Sequence, residues 1–434
     1  MAEKMRLAIV GGGIAGLAFA IALAKSGAQV DVDIYESTQA FSEIGAGMAF
    51  WPRVWDTMRL LGLEDDLRAL VSTSMPFRYM KADQDELVRF GQSGAVMDSF
   101  HRAEFLAVLL RHLPAHYRTH FGKRLASYSD VPPAQVVLEF KDGSTATCDI
   151  LIGADGLKSA VRRAMYERLA DIAVDPKEAA RLRGFVPAKW TGQYVYRGLV
   201  SRAQLEKVSP NHPALGGHIF FMGKDKYLVC YPVSQGTIIN CGGIVNQDEA
   251  FGTLHPEPWV LPVTQNELRE QFEGWSPYVQ NIVDLMSTPT KWATNSVMDL
   301  PTYVSGRIAL IGDAAHAMTP HQASGAGQGV EDALVLASVL AEPGATVKTL
   351  PAVLRAYDAV RRPFSQDILA RSHRAGALLC LRSPRIVHGA PVPIESLRAH
   401  SDDIAELASW AWTSSAQRER DAALQLFREL SSEA

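Results

Sequence analysis

The spacing of apolar residues divides this 434-residue chain into three kinds of segment. The first begins with an apolar run at 6–10, a glycine cluster at 11–16 and an apolar stretch at 17–26 that stops at Gly27. A second run at 30–35 closes on Glu36. That order predicts strand, helix and parallel strand, with glycine in the first turn and at the helix end. Helices are expected at 53–61, ending at Gly62, and at 102–113, stopped by Pro114. Alternation at 135–140 and 145–152 around Asp142-Gly143 predicts a hairpin. From 185 to 292 the period changes. Short β-rich runs at 194–200, 218–222, 227–232 and 237–245 predict a largely antiparallel sheet, joined by the segment 77–90. After Asp313 the pattern is helical to the end, punctuated by Pro343, Pro351, Pro363 and Pro393.

Two stretches on this frame carry chemistry. Gly11, Gly13 and Gly16 are spaced as G-x-G-x-x-G between a strand and a helix, and Glu36 ends the second strand. Gly11 allows the tight turn, Gly13 lets a pyrophosphate approach the backbone, and Gly16 lets the helix pack on the strand. Glu36 lies where a carboxylate holds an adenosine ribose. The second stretch is 309–333, where an apolar run stops at Gly312-Asp313 and Gly325 and Gly327 open a helix expected at 330–340. A carboxylate followed by a helix N-terminus suits a polyhydroxy, phosphate-bearing ligand. The 153–156 segment, Gly-Ala-Asp-Gly, lacks the G-x-G-x-x-G spacing. One tightly held dinucleotide is therefore expected, and a second nucleotide must visit without a Rossmann unit of its own.

Bulk properties narrow the class. Hydrophobic residues are 47% and charged residues 21%, as in ordinary globular chains, and the length suggests two or three domains. A net charge of -4 gives no reason to expect nucleic acid or an anionic membrane. No apolar run reaches the roughly 18 residues of a membrane span. The early first strand leaves no room for a leader, so a cytoplasmic location is expected. Cys148, Cys230, Cys241 and Cys380 are scattered and read as buried thiols in a reducing compartment. The 12 histidines form no metal-ligand spacing.

Three motifs in order give the chain a resemblance: Gly-Gly-Gly-Ile-Ala-Gly at 11–16, Gly-Ala-Asp-Gly-Leu-Lys-Ser at 153–159, and Gly-Asp-Ala-Ala-His at 312–316. Together they resemble the single-component FAD-dependent aromatic hydroxylases, the flavoprotein monooxygenases. Residues 196–200 and 320–328 look most like the salicylate hydroxylase branch, which includes enzymes that dearomatise phenols. The resemblance implies an α/β fold. A Rossmann-type FAD-binding domain would comprise 1–76, 100–184 and 293–365. A β-rich substrate domain would comprise 77–99 and 185–292, and a C-terminal helical region 366–434. Those last helices either cover the core or form a homodimer contact.

It further implies that both ends of the chain bind one FAD. Gly11, Gly13, Ala15, Gly16 and Glu36 would hold its adenosine and pyrophosphate side, with Arg102 reaching the pyrophosphate region. Asp313 would bond the ribitol chain, and Gly325, Ala326 and Gly327 would lie against the ring. Ala49 would also contact the cofactor. Asp155 would serve both FAD and a transient NADH or NADPH; on residue chemistry alone it is a helix cap. Arg102 alone reads equally as a surface charge. Arg197 is either an edge-strand arginine facing water or a cation for a phenolate or carboxylate beside the flavin. Tyr231 is either a core aromatic or the group that orients the substrate oxygen. His321 touches ligand or has no role, and His316 reads as structural. Trp51-Pro52 and Ala323 depart from the family pattern and put a simple salicylate assignment in question. The implied reaction is NAD(P)H- and O2-consuming hydroxylation of a phenol or hydroxybenzoate through a flavin C4a-hydroperoxide. The alternatives are oxygenation of a non-aromatic scaffold, an FAD oxidase or dehydrogenase, and a flavin-bearing binding protein.

Overall fold

The first strand, Met5–Val10, forms the middle of a six-stranded sheet. The structure, a computed structural model, describes residues 4–41, 47–71, 75–84, 87–89, 96–131, 135–247 and 250–432. The sheet order is Val304–Ser305, Ile308–Leu310, Ile150–Gly153, Met5–Val10, Val30–Tyr35 and Arg118–His120. All neighbours run parallel except the first pair. Register decides what this sheet presents. Val10 lies opposite both Tyr35 and Gly153, and Gly153 lies opposite Leu310. Gly11, Glu36, Ala154 and the Gly312 turn therefore leave the sheet along one edge, the carboxyl edge where such sheets bind ligands.

The helix Ile14–Ser26 lies between this sheet and the helix Gly325–Leu340. Being covered on both sides, it is apolar all round. Gly27 ends it in the left-handed conformation, as expected. The expected hairpin is half right. Thr145–Cys148 pairs with Gln135–Phe140, but Ile150–Gly153 crosses into the parallel sheet. Asp149 makes the break. Its carboxylate takes the backbone N–H of Arg6 at 2.7 Å and the Arg6 guanidinium at 2.7 Å.

The β-rich region forms an eight-stranded sheet. Its order is Val260–Pro262, Ser287–Ser296, Lys189–Ser201, Ile238–Asn246, Lys226–Val233, Ile219–Gly223, Arg78–Lys81 and Leu87–Arg89. Only the Ile219–Gly223 and Arg78–Lys81 pair is parallel. The segment near 77–90 thus joins the sheet as the alternation predicted. One face buries Tyr196, Phe221, Cys230, Ile239 and Cys241 under the helices Gln265–Gln271 and Pro277–Leu285. The other turns Val195, Phe220, Tyr227 and Ile244 toward Trp51 and the C-terminal helices.

The C-terminal helices cover the core. Ala416–Ser432 buries Ala423 and Phe427 against the first domain, and Ile394–Ala408 buries Leu397, Ile404 and Ala408 against the second. Burying Phe427 alone contributes about 2–3 kcal/mol. The expected punctuation at Pro363 does not occur: the helix Leu350–Leu379 runs through it and past position 365. Packing on Gly325–Leu340 and Ala416–Ser432 outweighs the one backbone bond that a mid-helix proline forgoes. Among the described residues no helix is long and apolar enough to cross a membrane. All four cysteines are buried free thiols.

Candidate active site

The glycines at the sheet edge leave a cradle. Gly11 has φ of +111°, and a side chain there would overlap the Ala154 carbonyl. A side chain on Gly16 would overlap the Gly11 carbonyl, so helix and strand are in direct contact. Gly13 differs: a Cβ there would meet nothing within 4 Å. The space beside Gly13, at a helix N-terminus, fits a pyrophosphate. Glu36 reaches back to the loop, accepting from Gly12 N–H at 2.9 Å and Thr38 N–H at 2.7 Å. Burial opposes its ionisation, but these bonds hold its carboxyl below the usual range.

The late motif is fastened to this cradle. The methyl of Ala15 lies 2.7 Å from where a Gly312 Cβ would be and 3.1 Å from that of Gly329. Gly312 has φ of +59°, and its N–H donates to Asp332 at 2.9 Å. His316 bonds the same Asp332 oxygen at 2.5 Å, and Arg361 Nε donates to the other at 2.9 Å. Asp332 is fully buried. Burial works against its charge, but the cations beside it win and hold its pKa down to about 2. His316 is thus structural, as expected. Asp313, one residue past Gly312, points an exposed carboxylate out of this brace and has no hydrogen-bond or ion-pair partner among the described residues. Its Oδ1 lies 3.9 Å from where a Gly325 Cβ would be. The helix expected from 330 begins at Gly325, so Gly325, Ala326 and Gly327 form its first turn, where N–H groups are unpaired by the helix. A Cβ on Gly327 would come within 2.7 Å of the Val54 side chain, so glycine lets the two helices meet.

Asp155 holds the start of the next helix. Its carboxylate accepts from Ser159 Oγ, from Ala160 N–H at 2.6 Å and from Val161 N–H at 3.1 Å. Ser159, not Asp155, is the N-cap of the helix Ala160–Ile172. It is the Ala154-Asp155 backbone that touches the glycine loop. Ala49 sits in the strand Gly47–Phe50, opposite Ser99, and is buried with Trp51 and Phe77. Gly45 and Ala46, part of the segment preceding Trp51, lie outside the described residues.

Alternation places a row of polar groups on the flavin-domain side of the large sheet. Arg197 lies opposite Gly242, which lies opposite Val229. One row over, Leu199 lies opposite Asn240, and Asn240 opposite Tyr231. Val229 and Val195 close in over Gly242, so a Cβ there would be in ordinary contact with both. Arg197 is largely buried, 5.1 Å from the Trp292 ring, and has no carboxylate partner among the described residues. Burial lowers its pKa, which Tyr231 opposes and Arg102 reinforces. Tyr231 packs on the backbone of Gly47, where a Cβ would lie 2.5 Å from the phenol oxygen. Burial pushes its phenol up to about 12, so it is protonated at neutral pH. Arg102 opens the helix Arg102–His112, and its charge acts on both Arg197 and Tyr231.

His321 is held at both ring nitrogens. Its Nδ1 bonds Tyr227 Oη at 2.7 Å and its Nε2 bonds Gln193 Oε1 at 2.9 Å. Burial brings its pKa down to about 3, so the neutral ring donates to Gln193 and accepts from Tyr227. Trp51 donates to the Gln322 carbonyl at 2.7 Å and stacks on Phe77. Ala323 takes a left-handed φ of +51°, which glycine would adopt without strain. Sequence reading missed Asn240, Gln193, Tyr227 and His218 on this face. Gln193, Tyr227 and His218 lie an even number of residues from Arg197, Tyr231 and Phe220, so the period of two was the available signal for them; the strand of Asn240 holds no named residue or aromatic that would have flagged it.

Comparison with known proteins agrees with this geometry. The family described as FAD binding domain matches residues 4–171 and 252–372. A salicylate hydroxylase of Pseudomonas putida is 34% identical over 94% of this chain and 92% of its own. The chain belongs to the salicylate hydroxylase-like FAD-dependent monooxygenases. A 6-methylsalicylate 1-monooxygenase of Aspergillus terreus is 31% identical over 99% of this chain and 93% of its own. The solved structure of a salicylate hydroxylase substrate complex superposes with a TM-score of 0.83 at 31% identity, covering 98% of both chains. The monooxygenase thus has one FAD-binding domain assembled from both ends of its chain, with a β-rich domain and a helical C-terminal region.

Proposed function

We propose that this monooxygenase hydroxylates a phenol or hydroxybenzoate, using NADH or NADPH and O2. One observation carries the reading: Arg197 is a desolvated guanidinium without a carboxylate partner among the described residues, on the same sheet face as the protonated phenol of Tyr231. A cation and a hydrogen-bond donor on one sheet face suit an oxyanion on an aromatic ring. The relatives that act on salicylate and 6-methylsalicylate support that substrate class. Gly11, Gly13, Ala15, Gly16 and Glu36 would hold the adenosine and pyrophosphate of FAD. Asp313 would accept from its ribitol hydroxyls, and Gly325, Ala326 and Gly327 would border the ring, with Ala49 behind it. When bound, the flavin supplies the redox chemistry and the activated oxygen.

The chain's own residues do the rest. Arg197 stays protonated and is a poor base, so it acts by charge, favouring the ionised substrate. Tyr231 donates to the substrate oxygen and fixes the ring's orientation. Trp51, Phe77 and Trp292 exclude water from that face. Asp155 would act by fixing the start of the following helix, from whose Ala160 and Val161 N–H groups it accepts, and so hold the backbone beside Gly11. In an Arg197→Ala variant, kcat/KM for hydroxybenzoates should fall about 100-fold or more, as expected for a lost buried charge partner. NAD(P)H oxidation should then yield H2O2 in place of hydroxylated product. Unchanged substrate affinity and unchanged coupling would sink the reading. Incorporation of label from O2 into product separates it from an oxidase or dehydrogenase.

A further inference from the structure

Beyond Glu36 the glycine cradle is bordered by two aromatic rings, Phe41 and Phe121. Tyr35 lies opposite His120, and the Glu36 N–H donates to the His120 carbonyl at 2.9 Å. Glu36 and Phe121 are the next residues on these two neighbouring strands. The segments stay joined past that point. Gly122 N–H donates to the Thr38 carbonyl at 2.9 Å, and Lys123 N–H to the Glu36 carbonyl at 2.8 Å. The backbone thus fixes Phe121 beside Glu36, yet 39% of this residue is exposed.

Phe41 approaches from the glycine side. A Cβ on Gly12 would lie 2.4 Å from the Phe41 ring and 3.2 Å from a Glu36 carboxylate oxygen, so ring and carboxylate meet over one glycine. Phe41 is partly buried against the core of the first domain. It meets Phe121 nearly edge to face, with centroids 4.9 Å apart and planes 75° apart. One ring is anchored, and it braces the other, which faces solvent. A single exposed apolar side chain is ordinary. This one lies next to the carboxylate that suits a ribose.

The chemistry of the cofactor says what belongs there. The pyrophosphate and the base leave a nucleotide's ribose from opposite ends of the sugar. With the pyrophosphate at Gly13, where a side chain would meet nothing within 4 Å, and the ribose hydroxyls at Glu36, the base lies toward the neighbouring strand. Adenine is flat and uncharged, and it gains affinity by lying on an aromatic ring.

We propose that Phe121, braced by Phe41, is the platform for the adenine ring of FAD. This rests on the placement of the adenosine at Glu36 proposed above and extends it to the base.

The test uses the full chain freed of flavin, titrated by calorimetry with FAD, ADP and UDP. ADP carries the adenosine and pyrophosphate without the flavin. UDP keeps the ribose and pyrophosphate but has a smaller base that stacks less well. The wild type should bind ADP about tenfold more tightly than UDP. Phe121→Ala should weaken FAD and ADP about tenfold and leave the UDP Kd within about twofold. Phe121→Trp, which keeps an aromatic face, should retain the wild-type affinity for both adenine ligands. Unchanged FAD and ADP affinity in Phe121→Ala overturns the platform. So does an equal loss for UDP, or a Phe121→Trp variant as weak as Phe121→Ala. Each of those results leaves the adenosine placement and the proposed function standing. Unchanged affinity for all three ligands in Glu36→Ala overturns the adenosine placement and the platform together, without touching the proposed hydroxylation.

Discussion

Arg197, Tyr231 and His218 are polar groups that the described protein places on one sheet face and leaves without hydrogen-bonding partners. Asp313, beside the glycine cradle, is likewise without a partner among the described residues. In both places the neighbours spend their hydrogen bonds on each other: Asp332 on Gly312 and His316, and Asn240 on the Gly47 N–H at 3.1 Å. Fixed surroundings and bare functional atoms are what a preorganised site requires. The two buried neutral histidines also set a pH response. The pKa values of His218 and His321 fall from the ordinary 6.5 to about 3. Between those values the unfolded chain binds a proton at each position and the folded chain does not. Stability therefore falls as pH drops below about 6.5, by up to about 1.4 kcal/mol per pH unit for each ring. Urea unfolding at stepped pH should show this decline, and His218→Phe should flatten it by one ring's share. An equal slope in the variant would mean that His218 is protonated in the fold.

At the scale of elements, the Pro320–Gln322 turn decides where the Gly325–Leu340 helix starts, and that turn is held from outside itself. His321 is bonded at both nitrogens, and Trp51 and Trp410 bond the Gln322 carbonyl and side chain. The helix Leu350–Leu379 presents Gly376 to the His321 ring so closely that a Cβ would overlap it. Gly376→Ala should therefore displace a ring that cannot rotate away. An expected loss of about 1–3 kcal/mol should appear in the melting temperature, together with a shifted flavin spectrum. A spectrum and melting temperature like those of the wild type would show that the turn gives easily. Most elements here were legible from periodicity, because strands and helices bury their faces at fixed spacings. The exceptions have local causes. Asp149 splits one strand by capturing Arg6, Pro363 is carried through a helix by packing, and three glycine-rich residues begin a helix that propensity places later.

For the whole molecule, a buried charge network ties the two ends together. Arg53 pairs with Glu331 at 2.8 Å and with Glu419, and Arg361 pairs with Glu331 at 3.1 Å and Asp332 at 2.9 Å. These residues come from four helices, including the C-terminal one. Removing one partner strands a buried cation, at about 3–5 kcal/mol. Glu331→Gln should lower the melting temperature and make the Ala416–Ser432 helix sensitive to limited proteolysis. Resistance equal to the wild type would show that apolar burial of Ala423 and Phe427 suffices. By itself the sequence determined the dinucleotide unit, the β-rich insertion and the motifs on which a single FAD was expected, because glycine spacing and hydrophobic period are local properties. It also singled out Arg197 and Tyr231 as candidates. Only the tertiary structure decided that Ala15, Gly312 and Gly329 meet, that Asp155 is spent on a helix, and that His321 is locked. Those outcomes depend on strand register and on which partner reaches a polar atom first, and residues more than 100 positions apart settle both.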